Sequence, residues 1–245
     1  MAKDLFSEQS SEYAAFRPHY PDALYQFLYQ HVDRFDFAWD CATGNGQAAH
    51  RLAQRFSSVE ASDISAQQIQ HAIRLPNIRY SICPAEATPF ADHTFDLITV
   101  AQALHWFDTE SFYSEVRRTA KPGALLAVWG YDRVTISPEI DPLIRNFYHE
   151  VVGRYWDHAR KHIEAHYETL PFPFKRIEPP RLKIAAEWTP AHLLGYLRSW
   201  SATRKFMKEE KYDPVTAFSE QLAPLWASND SRVVQFPVFM LVGKI

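Results

Sequence analysis

Apolar runs of strand length alternate with stretches of helical period through the first 131 residues of the chain. The order strand, helix, strand, helix is typical of a parallel sheet with right-handed crossovers. The run at 95–101 is apolar almost throughout, which indicates a central strand buried on both faces. The pattern predicts an α/β fold with a ligand site at the carboxyl ends of the strands. Strands are predicted at 37–40, 58–63, 77–83, 95–101 and 125–131, and helices at 22–32, 47–56, 64–73 and 109–118.

The second half of the chain is aromatic and basic, and its pattern is less regular. Residues 140–167 predict a long helical stretch with a break near Gly153. Residues 182–188 alternate like an edge strand, residues 189–201 predict a helix, and residues 232–244 predict a last strand. We therefore expect a helical cap over the core, made of the N-terminal segment and of insertions after the fifth and sixth strands.

The first predicted strand runs into a turn of small residues, which is the first candidate for ligand binding. Gly44 and Gly46 allow positive φ and a close approach to the backbone. Gly44-x-Gly46-x-x-Ala49 fits the dinucleotide pattern, but the carboxylate of Asp40 at the strand end repels phosphate and attracts a cation. S-adenosylmethionine carries an ammonium, a sulfonium and a ribose diol, so Asp40 and Asp63 suit it better than NAD. The alternative is that the two glycines form only a tight turn.

The turn also resembles a known family. Its sequence Asp40-x-Ala42-x-Gly44-x-Gly46 is similar to the Asp/Glu-x-Gly-x-Gly-x-Gly loop of the class I S-adenosylmethionine-dependent methyltransferases. Alanine replaces one glycine, and we expect Ala42 to keep a negative φ. The resemblance implies a Rossmann-like, doubly wound, mostly parallel seven-stranded sheet with a helical cap. It also implies S-adenosylmethionine as cofactor and S-adenosylhomocysteine as product.

Three further segments resemble the trans-aconitate methyltransferase-like group of that family. They are the opening around 13–21, the sequence A-Q-A-L-H-W-F-D at 101–108, and the sequence G-Y-L-R-S-W-S at 195–201. The resemblance implies a single domain over 1–245. Its parts are an N-terminal lid segment at 1–35, a cofactor-binding core at 36–131, cap insertions with the sixth strand at 132–231, and the last strand at 232–245.

The resemblance also assigns cofactor contacts. Tyr13 and Arg17 are expected to fold over the cofactor, with Arg17 able to hold a carboxylate, and packing against the sheet is the alternative. Ile64 would stack on adenine. Pro84 stands where the family has an acidic residue, so Glu86 or a backbone carbonyl would accept from adenine, unless Glu86 is a cap. The candidate cofactor residues are Tyr13, Arg17, Asp40, Ala42, Gly44, Gly46, Asp63, Ile64, Ala85, Glu86, Ala101 and Gln102.

His105 is the candidate catalytic residue. Its unperturbed pKa near 6.5 suits proton acceptance from a hydroxyl or thiol around neutrality. If the acceptor is a carboxylate, no base is needed and His105 only positions it; capping of the helix at Asp108 is the third alternative. The candidates for acceptor binding are Trp106, Arg198, Trp200 and Arg204, with the arginines holding an anionic group. The alternative places Trp200 in the core and the arginines on the surface.

Composition narrows the class of protein without changing that picture. Of 245 residues, 47% are hydrophobic and 22% are charged, as in ordinary globular proteins. No apolar run has membrane-spanning length, and the first residues do not form a secretory signal, so we expect a cytoplasmic protein without a membrane partner. A net charge of −3 gives no electrostatic drive towards nucleic acid. The oligomeric state stays open.

Two further sets of residues could in principle bind a metal or form a disulfide. His158, His162 and His166 have helical spacing that would suit a metal, but basic residues lie between them and methyl transfer needs no metal, so a solvated helix face is favoured. Cys41 and Cys83 would follow the first and third strands, and we expect no disulfide. The sequence predicts a small-molecule methyltransferase, with O-methylation of an organic acid as the specific hypothesis. The alternatives are an RNA or protein methyltransferase, or a non-catalytic module that binds S-adenosylmethionine or NAD.

Overall fold

The computed structural model of the protein describes residues 16–245, and a mixed sheet runs through their centre. Its eight strands are β1 (Phe37–Cys41), β2 (Ser58–Asp63), β3 (Ile78–Ile82), β4 (Phe95–Ala101), β5 (Ala120–Tyr131), β6 (Lys175–Ile177), β7 (Leu182–Trp188) and β8 (Arg232–Lys244). They lie in the order β3-β2-β1-β4-β5-β8-β6, with β7 also paired to β8. The first five strands are parallel and β8 is antiparallel to β5. The predicted doubly wound, mostly parallel α/β fold is confirmed.

The sheet has eight strands where seven were expected, because the strand beside β8 is in two pieces. β7 pairs with 232–238 and β6 pairs with 242–244 of β8. Between the two pieces, Pro179 and Pro180 have no N–H group and cannot continue the ladder. The seven-position sheet of the prediction is therefore present, and the interrupted strand occupies its edge position beside β8.

Nine α-helices surround the sheet in the described residues. They are α1 (Asp22–Tyr29), α2 (Gln47–Leu52), α3 (Ala66–Gln70), α4 (Thr109–Thr119), α5 (Asp141–Asn146), α6 (Arg160–Glu164), α7 (Pro190–Arg198), α8 (Ser201–Glu210) and α9 (Val215–Leu222). The long helical stretch predicted at 140–167 is present only in pieces, and the predicted break near Gly153 is confirmed. It consists of α5, a π-helical turn at Phe147–Val151, a 3₁₀ turn at Gly153–Tyr155, and α6. Across residues 16–245 no helix is long and apolar enough to cross a membrane.

Apolar side chains pack on both faces of the sheet and form a third cluster in the cap. Leu24 and Leu52 of α1 and α2 cover one face. Phe112 of α4 covers the other. The helices from α5 to α9 pack around aromatic side chains such as Phe147 and Phe218, against the start of β8. The carboxyl ends of β1, β2 and β4 are left facing the cap, and the candidate site lies there.

Candidate functional site

The loop between β1 and α2 forms the floor of the site, and its backbone is left-handed at three positions. Ala42, Gly44 and Gly46 have φ of 54°, 57° and 82°. The expected negative φ at Ala42 is therefore wrong, and its side chain costs about 1–2 kcal/mol in this conformation. The neighbouring strand holds the loop in shape, because the Thr43 N–H donates to Ser62 O at 2.9 Å.

Asp40 is 1% exposed, and its buried carboxylate holds this loop through hydrogen bonds. Its Oδ2 accepts from Thr43 Oγ1 at 2.6 Å and from the Ala49 N–H at 3.0 Å, and its Oδ1 accepts from Thr99 Oγ1 at 2.8 Å. Burial raises the pKa of the carboxyl to about 6, against the opposing effect of these hydrogen bonds. Asp40 does not line the cleft above the loop. Its position supports an effect through the loop, rather than the direct contact with an ammonium that the sequence predicts.

An open cleft lies above the loop, with a volume of about 1280 Å³ including the solvent at its mouth. A Cβ at Gly44 would stand in open space, since its nearest neighbour would be Gln68 Oε1 at 4.0 Å, so a ligand can lie on bare backbone. A Cβ at Gly46 would lie 2.4 Å from Tyr80 Oη, so Gly46 packs the loop against β3. Tyr13 lies outside the described residues. The predicted cofactor residues that line the cleft are Arg17, Ala42, Gly44, Asp63, Ile64, Ala85, Glu86, Ala101 and Gln102.

Carboxylates and apolar groups lie side by side along the cleft wall. Asp63 accepts from the N–H groups of Gly44 and Ser65, each at 2.8 Å. Ile64 beside it is 37% exposed and offers an apolar face. Glu86 Oε1 accepts at 3.1 Å from the backbone N–H of the residue that caps α4, which supports the capping alternative for Glu86. The cleft thus fits a ligand with hydroxyl groups beside a flat apolar part.

A second cavity, of about 670 Å³ including the solvent at its mouth, adjoins the cleft on the side of the cap. Arg17, Gln102, Trp106 and Tyr131 line both spaces and form the wall between them. The prediction that Trp106 walls a pocket agrees with this position. The other lining residues come from the segment after β4 and from the cap: His105, Trp156, Asp157, Arg160, Ile163, Tyr196, Trp200 and Ser201.

Arg17 joins the segment before α1 to the sheet and to the cap. Its Nη1 donates to Tyr131 Oη at 2.9 Å and its Nη2 donates to Ser199 O at 3.4 Å. Its guanidinium lies 5.3 Å from the centre of the Tyr196 ring. The guanidinium is therefore fixed at the wall between the two spaces, and its role as a lid residue stays a prediction.

Arg160 is a functional candidate that the sequence reasoning missed. Its Nε donates to Tyr148 Oη at 3.0 Å, and the Tyr148 hydroxyl donates to Glu164 Oε1 at 2.5 Å. Its guanidinium lies 4.7 Å from the centre of the Trp156 ring. Among the described residues no group accepts from Nη1 or Nη2, so both can serve a ligand in the cavity. No local spacing signals this arrangement, because Trp156 precedes α6 in extended backbone and the fold brings the two side chains together.

His105 lies in the wall of the second cavity, with Nδ1 3.1 Å from Tyr167 Oη. Burial lowers the pKa of His105 to about 3, with a further contribution from Arg160. The expected pKa near 6.5 is therefore wrong, and His105 is a poor base at neutral pH. His105 does not cap α4, because the Asp108 side chain accepts from the Ser111 N–H there. The remaining alternative, in which His105 positions the acceptor, stays a prediction.

The two arginines predicted to hold the acceptor lie elsewhere. Arg198 Nε donates to Asp213 Oδ2 at 2.7 Å, and neither Arg198 nor Arg204 lines the cleft or the second cavity. The alternative that places them on the surface is correct for Arg198, whose side chain is 43% exposed. Trp200 lines the second cavity and is also part of the cap core, so both interpretations hold for it.

The histidine spacing that would suit a metal is not realised on one helix. α6 ends at Glu164 and contains only His162 of the three. His162 Nδ1 lies 2.7 Å from Thr169 Oγ1, and His166 Nε2 lies 3.4 Å from Asp132 Oδ2. In the part of the chain that the structure describes, no group of three or more His, Cys, Asp or Glu side chains has the geometry of a metal site.

Comparison with known proteins bears on the site as a whole. A family model described as a methyltransferase domain matches residues 39–128. A protein of Dictyostelium discoideum named as a methyltransferase is 32% identical, over 98% of this chain and 95% of that protein. The solved structure of a type II methyltransferase from Anaeromyxobacter dehalogenans is 37% identical with a TM-score of 0.87, over 93% of this chain and 97% of that chain. A methyltransferase structure from Bacillus halodurans shares the fold at 16% identity, with a TM-score of 0.51, over 89% of this chain and 97% of that chain.

Proposed function

This chain belongs to the class I S-adenosylmethionine-dependent methyltransferases, and we propose that it methylates a carboxylate oxygen of a small organic acid. The cleft above the β1–α2 loop is the cofactor cleft, and the second cavity is the acceptor cavity. The observation that carries the proposal is the pair of arginines, Arg17 and Arg160, in an acceptor cavity with aromatic walls. We also place the chain in the trans-aconitate methyltransferase-like group, on the motifs at 101–108 and 195–201.

The cofactor cleft fits S-adenosylmethionine in shape and chemistry. Gly44 leaves its floor bare for the backbone to approach the ligand. Asp63 at the end of β2 suits the two ribose hydroxyls, because a carboxylate accepts two hydrogen bonds in parallel. Ile64 lies beside it with an exposed apolar face for adenine. Arg17 at the inner wall would contact the carboxylate at the other end of the cofactor or of the acceptor.

The acceptor cavity fits a small, partly apolar anion. An arginine binds a carboxylate through two parallel N–H bonds, and Arg160 has both terminal nitrogens available. Trp156 and Trp200 offer apolar surface around it. The concave, aromatic lining of the cavity suits a small molecule, and the net charge of −3 does not favour nucleic acid.

Bound S-adenosylmethionine supplies an electrophilic methyl group: a carboxylate lone pair forms the new C–O bond as the C–S bond breaks, its electron pair goes to sulfur, and no proton is released. The residues of the chain contribute position. Trp106 and Arg17 separate the two spaces, so the reacting atoms meet at that wall. Holding two reactants in a productive geometry lowers a barrier by about 7–11 kcal/mol. A carboxylic acid of pKa about 4 is already ionised at neutral pH and needs no base.

Two experiments test the function. Titration calorimetry should detect S-adenosylmethionine binding and no comparable binding of NAD; the reverse would leave the chain as a different kind of nucleotide-binding module. A screen with methyl-labelled cofactor should then find small carboxylic acids, rather than phenols, amines or thiols, as acceptors. Methylation of amines or thiols alone would contradict the acid acceptor and leave the methyltransferase assignment standing.

A matched pair of variants tests the assignment of the anion site. Arg160→Lys should raise KM for the acid about 10- to 100-fold, since lysine cannot reproduce the two-point contact, and should leave cofactor affinity alone. Arg198→Lys is the control, because Arg198 pairs with Asp213 outside both cavities. An Arg160→Lys enzyme with the KM of the control would contradict the site.

A further inference from the structure

His105 and Tyr167 meet at the inner wall of the acceptor cavity, and we propose that Tyr167 fixes His105 as a hydrogen-bond donor to the acceptor. Tyr167 is then a positioning residue for methyl transfer, and the imidazole is not a base. The identity of the acceptor rests on the proposed function. The orientation of the imidazole does not, and it can be tested on the protein without an acceptor.

The tautomer follows from where the Tyr167 hydroxyl proton goes. Tyr167 is fully buried, with Oη 3.1 Å from His105 Nδ1. Burial raises the Tyr167 pKa, so the hydroxyl keeps its proton at neutral pH. Among the described residues, Nδ1 is the acceptor in reach of the hydroxyl. If Nδ1 were protonated, the buried hydroxyl proton would have no acceptor, so Nδ1 accepts and the ring proton lies on Nε2.

The backbone holds the Tyr167 hydroxyl in this place. His166 and Tyr167 are two consecutive non-glycine residues with positive φ, at 50° and 64°. The Tyr167 N–H donates to His162 O at 2.7 Å, and the Tyr167 ring meets Phe239 edge-on at 5.3 Å. Such strained positions persist where the surrounding structure determines them, and they cluster at functional sites. The hydroxyl therefore has little freedom to turn away from His105.

The charges around His105 keep the ring neutral. Burial is the first cause that lowers its pKa to about 3; Arg160 and His162 lower it further, and Asp157 opposes them. Arg17 lies in the wall of the same cavity and adds a positive charge. The neighbouring phenol is neutral as well, because burial raises its pKa. His105 thus presents the same N–H group throughout the neutral pH range.

A fixed N–H donor restricts which acceptors react. His105 Nε2 has no partner among the described residues and is open to the cavity. It binds a carboxylate or carbonyl oxygen and cannot remove a proton. His105 therefore offers no base to a protonated nucleophile, which suits a carboxylic acid, already ionised at neutral pH, better than phenols, amines and thiols.

Nitrogen NMR of histidine-labelled protein tests the tautomer directly. The His105 signal, assigned by its loss in His105→Leu, should show a proton on Nε2 only and should not titrate across the neutral range. Tyr167→Phe should populate both tautomers. A wild-type ring protonated on Nδ1, or titrating near neutrality, would overturn the inference, and this reading of the wild type stands even if Tyr167→Phe fails to fold.

Kinetics of two variants test the donor role. His105→Gln carries an amide N–H close to the place of Nε2–H and should keep kcat/KM within about threefold, whereas His105→Leu should lose about 10- to 100-fold. Neither should change the shape of the pH profile. Equal losses in both variants, or an acidic limb that only His105 produces, would overturn the inference. If the screen finds only amines or thiols, the proposed function fails, and the NMR result still decides the tautomer by itself.

Discussion

The cofactor cleft and the acceptor cavity share a wall but are built differently. The floor and rim of the cofactor cleft come from loop backbone and strand-end carboxylates, such as Gly44 and Asp63, that follow consecutive strands. The acceptor cavity is made of side chains from distant parts of the chain, among them Arg17, Trp106 and Arg160. The first is a property of the sheet edge, and the second depends on how the cap packs.

Because the two sites are built from different parts of the chain, we expect that substitutions can change them separately. Substitutions at the strand ends should alter cofactor affinity and leave the acceptor KM alone, and substitutions in the cap should do the reverse. Substitutions at Asp63 and Trp106 test that separation, and substitutions at Asp40 and Ala42 test the loop on which the cofactor cleft is built.

The largest expected effect concerns Asp40 and pH. Its pKa is raised from 3.8 to about 6, so the folded protein holds this proton more tightly than the unfolded chain. Its contribution to stability is complete below pH 3.8 and is lost as pH rises towards 6, by about 3 kcal/mol at about 1.36 kcal/mol per pKa unit. Urea unfolding of wild type and Asp40→Asn across this range should show the fall in the wild type only. If the unfolding free energies of wild type and Asp40→Asn changed with pH in parallel, the raised pKa of Asp40 would be contradicted.

The next effect isolates the cofactor cleft. Asp63→Ala removes the carboxylate that accepts from the Gly44 and Ser65 N–H groups and faces the cleft. Loss of hydrogen bonds to a charged group, about 1.5–3 kcal/mol, should weaken S-adenosylmethionine binding about 10- to 150-fold by calorimetry. Asp33→Ala, at a side chain that is 91% exposed, is the control and should bind normally. A raised acceptor KM at saturating cofactor would break the separation of the two sites.

A substitution at Trp106, in the wall between the two spaces, should weaken the binding of both the cofactor and the acceptor. Trp106→Leu keeps an apolar residue but shortens a side chain that lines the cofactor cleft and the acceptor cavity. We expect the cofactor Kd and the acceptor KM each to rise about tenfold, or about 1.4 kcal/mol. Calorimetry and steady-state kinetics on one preparation measure both. A change confined to one of them would show that Trp106 belongs to a single site.

The smallest expected effect is on the stability of the cofactor loop at Ala42. Ala42→Gly removes the strain of a side chain at φ 54° and adds freedom to the unfolded chain, so we expect a net stabilisation of about 0.5–1 kcal/mol. Ala217→Gly, at an exposed position inside α9, should instead destabilise by about 0.5–1 kcal/mol. Urea unfolding of both variants checks the pair. A destabilised Ala42→Gly protein would mean that the loop needs the methyl group.

The sequence predicted the cofactor cleft well because its parts are local. Asp63 follows its strand directly, and Gly44 lies four residues after Asp40, so strand order alone brings them to one edge. The φ at Ala42 was predicted wrongly, because a family glycine had been replaced and residue type then favoured the ordinary conformation. The strain is imposed by contacts with β2, which no local pattern reveals.

The acceptor cavity was predicted poorly for the opposite reason. Arg198 and Arg204 were chosen from a motif, but helix α7 turns Arg198 towards Asp213 on the surface. Arg160 looked like one basic residue on a solvated helix, and only the tertiary fold brings it over Trp156 and beside Tyr148. The pKa of His105 could not be predicted either, since burial under the cap sets it.

The pairing of β8 has a consequence for how the chain folds. β8 pairs with β5 from Leu125↔Lys244 to Tyr131↔Val238, across nearly half the chain, and also with β6 and β7. Until β8 arrives, β5 has an open edge of apolar residues that can join the strands of another chain. Contacts so distant along the chain form slowly, and an intermediate in this state is prone to aggregation. The yield of native protein should therefore depend on how fast this last strand closes the sheet.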